Sequence, residues 1–297
     1  MSVLARSPRH RRLDLLQKGV FSLTLLTTVI VCVPVGIVAE YVISHGASAI
    51  SWDFLFAGPE RAGREGGFFP VIVLTMYALL LVMIFAVPIG VLCAVYLAEY
   101  ARPGRLLRLI NLTIINLAGV PSIVYGLFGA ALFFDVIGTQ KVLWVASATL
   151  AMQALAIIIT SSRESLVSVP RGIREGSLAL GVSKLHTTFF IALPQAFPGI
   201  ITGSLLAVSR AAGETAPILV VGAIAATNVS LGPGAAIHDR PQMLSYELYY
   251  RITEVLGLAD ERKWGLALVL LAIVLVFNIS ALLLRYRIQS SGQQRRS

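Results

Sequence analysis

Apolar runs of membrane length alternate with short polar segments along most of the chain. They cover residues 20–43, 68–97, 112–134, 142–160, 199–226 and 264–284, each close to or above the ~20 residues that a helix needs to cross a bilayer. Proline and glycine interrupt several of them: Pro34 and Gly36 in the first, Pro121 and Gly126 in the third, Gly213 and Pro217 in the fifth. Membrane helices tolerate such residues where neighbouring groups re-satisfy the freed backbone. The pattern predicts an all-α integral membrane protein with six transmembrane helices.

The polar segments divide the chain further. Residues 1–19 form a basic tail, expected to be flexible, and residues 20–67 a first helix and an extracytoplasmic loop. Within that loop Trp52, Phe54 and Phe56 mark a short interfacial stretch. Residues 68–284 make a core transmembrane domain with a long polar connection at 161–197, and residues 285–297 a second basic tail. Arg and Lys gather in both tails, after the second run (Arg102, Arg105, Arg108) and after the fourth (Arg163, Arg171, Arg174, Lys184). The connections after the first, third and fifth runs have little net positive charge. The positive-inside rule therefore places both termini in the cytoplasm of a multi-pass protein.

Composition supports this assignment. Hydrophobic residues make up 57% and charged residues 13% of the chain, and the mean hydropathy is +0.82. A soluble domain would carry about 25% charged residues. The net charge of +9 sits in clusters between apolar runs, which argues for membrane orientation and against nucleic-acid binding. Cys32 and Cys93 lie in apolar runs, and His10, His45, His186 and His238 are scattered, so no metal or redox site is expected. No GxxxxGK[ST] loop occurs, so ATP is not bound here through that motif.

Two stretches carry the candidate chemistry. Arg210 and Glu214 interrupt the fifth apolar run, four residues apart and thus on one helical face. A pair that holds two helices together is one reading. The other is an anion path, since a guanidinium presents a permanent, forked set of donors that fits oxyanions. Gly213 and Pro217 would soften the backbone beside the charges, and Thr215 adds a hydroxyl. An Arg already answered by Glu214 cannot balance a phosphate alone, so further donors must come from backbone or a partner chain. The stretch then marks a place of passage rather than a tight pocket. Pro121, Ser122, Tyr125 and Gly126 in the third run fit either a lumen lining or a kink with close packing.

The second stretch is residues 170–194. Its periodicity predicts two short helices joined at Gly181, with Ser183 capping the second and Pro194 ending it before the fifth run. By itself this is an interfacial connector or a compact knob. The segment resembles the cytoplasmic loop signature of ABC importer permeases, a Glu-Ala-Ala run followed by Gly and then Ile-x-Leu-Pro. Glu175 stands at the Glu position, Gly181 at the Gly position, and Ile191, Leu193 and Pro194 close the pattern. Gly176 and Ser177 replace the two alanines and remain small. Residues 210–217 and 121–126 resemble motifs of the phosphate importer permeases, and the short first loop resembles the A-type subunit.

The resemblance implies a type I ABC importer permease fold in a bacterial plasma (inner) membrane, translocating inorganic phosphate by alternating access. It implies a second phosphate permease subunit as heterodimeric partner, two ATP-binding subunits that hold the ATP and Mg, and an extracytoplasmic phosphate-binding protein. Residues 170–190 would dock on an ATP-binding subunit. No catalytic residue or cofactor is expected in this chain. A sulfate or molybdate importer is the nearest alternative. An ion-gradient-driven transporter would need intramembrane carboxylates on several spans, where Glu214 stands almost alone.

Overall fold

The computed structural model describes residues 8–61, 65–225, 231–255 and 259–294. Thirteen α-helices span them: α1 (Pro8–Gly46), α2 (Trp52–Phe56), α3 (Phe69–Val95), α4 (Arg105–Ala118), α5 (Ser122–Ala130), α6 (Leu143–Ser168), α7 (Arg171–Ala179), α8 (Lys184–His186), α9 (Leu193–Ala212), α10 (Ala216–Val220), α11 (Pro233–His238), α12 (Leu244–Thr253) and α13 (Asp260–Gln294). A two-residue ribbon, Pro59–Glu60 against Glu65–Gly66, is the only sheet among the described residues. Five stretches are long and apolar enough to cross a membrane: Leu16–Ala49, Phe69–Tyr100, Leu143–Ser168, Lys184–Ala212 and Asp260–Arg287. A sixth apolar segment is a bent pair, Arg105–Ala118 with Ser122–Val136, broken by a 102° bend that makes it a broken span or a re-entrant segment.

The first helix differs from the sequence expectation by reaching back through the basic segment to Pro8. Residues 1–7, Arg6 among them, lie outside the described residues. At the other end, α13 continues past 284 through Arg285 and Arg287; Arg295 and Arg296 lie outside the described residues.

α3 packs along α6, α6 along α9 and α9 along α13, while α1 lies on the outside of α13. The shared core is built from Leu74, Ala78, Val82 and Ala86 of α3, Leu150, Ala154 and Ile158 of α6, and Ala207, Val208 and Ala211 of α9. Alanine dominates the meeting faces because helices gain little from hydrophobicity inside a bilayer, where close backbone approach and dispersion contacts hold them together. The outward Leu, Ile and Val side chains of α1, α3 and α13 are exposed, as lipid-facing positions must be.

Each end of the bundle has its own closure. At one end, Ala94, Val95, Leu166, Val169, Ala196 and Ile200 cluster where α3 and α6 finish and α9 begins; α7 sits there. At the other, Phe54, Phe68, Val71, Leu244 and Leu266 gather α2, α3, α12 and α13. Glu247 and Arg251 form an ion pair there with both side chains 1% exposed, and Arg251 and Arg262 each lie over the Phe68 ring, at 5.8 and 5.5 Å. The sequence placed these residues in a charge-balanced loop; the structure makes them a buried brace.

Candidate functional site

The fifth apolar run does not continue as one helix. α9 ends at Ala212, Gly213 and Glu214 close with short turns onto Arg210 and Ala211, and α10 restarts at Ala216. Pro217 falls in the first turn of α10, where its missing N–H costs nothing. The joint that Gly213 and Pro217 foreshadow is thus a full break. The far end of the run, residue 226, lies outside the described residues. Glu214 and Thr215 are tied across the break to α12: the Ser245 hydroxyl donates to the Glu214 carbonyl at 2.9 Å, and the Thr215 hydroxyl to the Ser245 carbonyl at 3.4 Å. Ser245 supplies the donor that an unwound carbonyl lacks inside a membrane protein.

Because α9 stops before it, Glu214 no longer stands one regular turn beyond Arg210. Their contact is long, 3.5 Å from Arg210 Nε to Glu214 Oε1. The same carboxylate oxygen receives a 2.7 Å hydrogen bond from Gln153 Nε2 on α6. Glu214 is 16% exposed and Arg210 is 60% exposed. The carboxylate is therefore turned inward and held by α6, while most of the guanidinium stays open. An open guanidinium within an apolar run is unfavourable against lipid tails, so this face belongs to an aqueous lumen or a partner surface. Gln153 Oε1 is buried without a protein partner, which leaves a second acceptor beside Glu214.

The third-run motif meets this break from the other side. Pro121 stops α4, and its extended backbone starts α5 one residue later, because a prolyl ring cannot continue the preceding helix. The Tyr125 hydroxyl spans the bend and donates to the Leu117 carbonyl at 2.7 Å. Ser122 is half-buried at the start of α5. Gly126 lies against α10: a Cβ there would stand 2.8 Å from Pro217 Cα and 3.1 Å from the Pro217 carbonyl oxygen. Of the two readings, the contacts favour packing for Tyr125 and Gly126. The two motifs join there, and the segment that carries the charges rests on α5.

The 170–194 segment also folds in part as expected. α7 ends before Gly181, whose φ of +79° is the left-handed turn that glycine permits. Ser183 accepts a hydrogen bond from the His186 N–H as the cap of α8. Glu175 and Gly176 lie on α7, and the Ser177 hydroxyl meets that of Thr187 at 2.8 Å. Pro194, expected to end the second helix, does not. Lys184–Ala212 is one continuous span in which residues Thr187–Ala192, Ile191 included, form a π-helical turn that leads into Leu193 and Pro194. The wider turn leaves room for the prolyl ring, which would press on the Phe190 carbonyl in a regular helix.

Sequence reasoning did not find Gln153, Ser245, Glu99 or the working contacts of Arg174. Each is joined to its partner across a large sequence separation, 61 residues for Gln153 and Glu214 and 75 for Glu99 and Arg174. Among the described residues no group of His, Cys, Asp and Glu could hold a metal ion.

A helical bundle with a broken span beside Arg210, and a capped knob at one end, fits the membrane component of a transporter. Residues 86–291 match the family described as "Binding-protein-dependent transport system inner membrane component"; the chain belongs to that family and is a multi-pass inner-membrane transport subunit. It is 33% identical over 263 residues to phosphate transport system permease protein PstA 1 of Mycobacterium tuberculosis (strain CDC 1551 / Oshkosh), covering 87% of this chain and 84% of the relative. The fold is that of type I ABC importer permeases. A chain of a bacterial alginate ABC transporter aligns with a TM-score of 0.62 at 13% identity, over 96% of this chain and 98% of that one. A chain of the inward-facing MetNI methionine ABC transporter aligns with 0.55 at 17% identity, over 75% and 94%.

Proposed function

We propose that this chain is the A-type permease subunit of an ATP-driven importer that carries inorganic phosphate into the cytoplasm. The open Arg210 guanidinium at the α9–α10 break carries the reading, and the name of the 33%-identical relative supports the substrate. The chain works with a second permease, two ATP-binding subunits that hold the ATP and Mg, and an extracytoplasmic phosphate-binding protein. Both termini and α7 face the cytoplasm, by the distribution of Arg and Lys.

In the mechanism, closure of the ATP-binding subunits displaces α7 and tilts the spans attached to it, and the break at residues 213–215 opens outward. Arg210 meets the anion with a fork of N–H groups and a charge it cannot lose. Gln153 keeps Glu214 from occupying that fork. Hydrolysis reverses the tilt and releases phosphate inward. The acceptors beside Arg210 favour phosphate over sulfate or molybdate. Phosphate near neutral pH retains at least one O–H that the Glu214 carboxylate can accept, whereas sulfate and molybdate are fully ionised and would meet only repulsion from the carboxylate.

The test is co-purification followed by ATPase assay. The complex is expected to contain an ATP-binding chain and to show vanadate-sensitive hydrolysis that rises with phosphate-loaded binding protein. Hydrolysis that responds to sulfate but not phosphate would reassign the substrate, and absence of any ATP-binding chain would reject the class of partner.

A further inference from the structure

Arg174 lies in the first turns of α7, and its side chain is 18% exposed at the junction of three elements. Nε and Nη2 both donate to Glu99 Oε1, at 3.0 and 2.8 Å. Nη2 also donates to the Leu166 carbonyl and Nη1 to the Val169 carbonyl, each at 2.6 Å. Glu99, 10% exposed, belongs to the π-helical turn Tyr96–Tyr100 that finishes the span of α3, while Leu166 and Val169 finish α6. The last carbonyls of a helix have no partners of their own and carry the negative end of its dipole. One side chain on α7 therefore closes the end of α6 and pairs with the end of α3.

The rest of the knob is fastened in the same way. The Ser177 hydroxyl meets Thr187 at 2.8 Å in the turn that leads into α9, and Lys184 Nζ lies 5.1 Å from the centre of the Tyr100 ring. Directly below, the apolar cluster of Val95, Leu166 and Ala196 packs the same three spans together. α7 is thus in contact with the ends of α3, α6 and α9 at once.

We propose that the Arg174–Glu99 clasp is the rigid joint through which movement of α7 drives the spans, with Arg174 and Glu99 as positioning residues for translocation. Lys at 174 keeps the charge but offers a single head that cannot reach the carboxylate and two carbonyls together. Gln at 99 keeps the shape and removes the charge. The proposal rests on the reading of residues 170–190 as the surface that ATP-binding subunits move.

The experiment uses the complete wild-type complex and its Arg174→Lys and Glu99→Gln variants in liposomes, with phosphate and its binding protein outside. It measures subunit co-purification, ATP hydrolysis and phosphate uptake. We expect both variants to retain assembly and hydrolysis while uptake per ATP falls about tenfold, within the usual range of coupling free energies. Uptake per ATP equal to wild type in both variants would overturn the clasp. If only Arg174→Lys fails to assemble, Glu99→Gln decides by the same ratio. Loss of assembly in both would overturn the clasp in favour of a plain structural brace. A wild-type complex that contains no ATP-binding chain would reject the underlying reading, and the clasp with it, before any variant is compared.

Discussion

Arg210, Glu214 and Gln153 divide one carboxylate unequally, at 3.5 and 2.7 Å from the same oxygen. Hydrogen bonds to a charged group contribute roughly 1.5–3 kcal/mol, so the shorter contact decides where Glu214 points. Replacing Gln153 by Leu removes that donor at nearly constant volume. Glu214 then swings to Arg210, and phosphate uptake in liposomes is expected to fall several-fold with assembly unchanged; wild-type uptake would show that the fork is not kept free by Gln153. Arg210→Lys retains charge but loses the fork, and uptake should drop by more than tenfold, again read by labelled phosphate. Arg210 and Glu214 were legible in the sequence because charge is conspicuous in an apolar run. Gln153 was not, since a single amide in an Ala-rich helix has no local signature.

At the level of elements, the local signals read well and the propagated ones did not. Gly181 and Ser183 could be assigned from sequence because a left-handed turn and a helix cap depend on one or two residues. Pro121 and Pro217 likewise announced interruptions, although the size of each depended on contacts from elsewhere: Tyr125 to Leu117 across one, Ser245 to Glu214 across the other. Pro194 misled because a proline stops a regular helix, whereas the π-helical turn before it makes room. The seat of α10 on α5 is similarly invisible in sequence. Gly126→Val would drive a branched side chain into the Pro217 backbone, which cannot yield as a flexible side chain can. Overpacking of this kind costs about 1–3 kcal/mol. A lowered melting temperature in detergent, together with weakened uptake, is expected; an unchanged melting temperature would show that α5 and α10 separate freely.

For the whole molecule, the six-run pattern predicted the membrane class, and the structure has five straight spans with the bent α4–α5 pair as a sixth apolar segment. The pattern did not predict which spans pack together, because Leu-rich faces look alike whether they meet lipid or protein. The structure resolves this: α3, α6 and α9 form the packed centre, α1 lies outside on α13, and α4–α5 is folded at 102° rather than crossing straight. The broken fifth span and the clasped knob stand at different places on the same α6–α9 scaffold. Gln153 near the middle of α6 and Leu166 near its end lie on one helix, so the proposed movement of the knob has a direct path to the residue that holds Glu214.

The most direct test is uptake of labelled phosphate by liposomes that contain the complete complex, with ATP inside and loaded binding protein outside. ATP-dependent accumulation that excess sulfate or molybdate leaves intact, and that Arg210→Lys abolishes or reduces more than tenfold, is the result expected. Accumulation that requires an ion gradient but no ATP, or that sulfate suppresses as fully as unlabelled phosphate, would contradict the account.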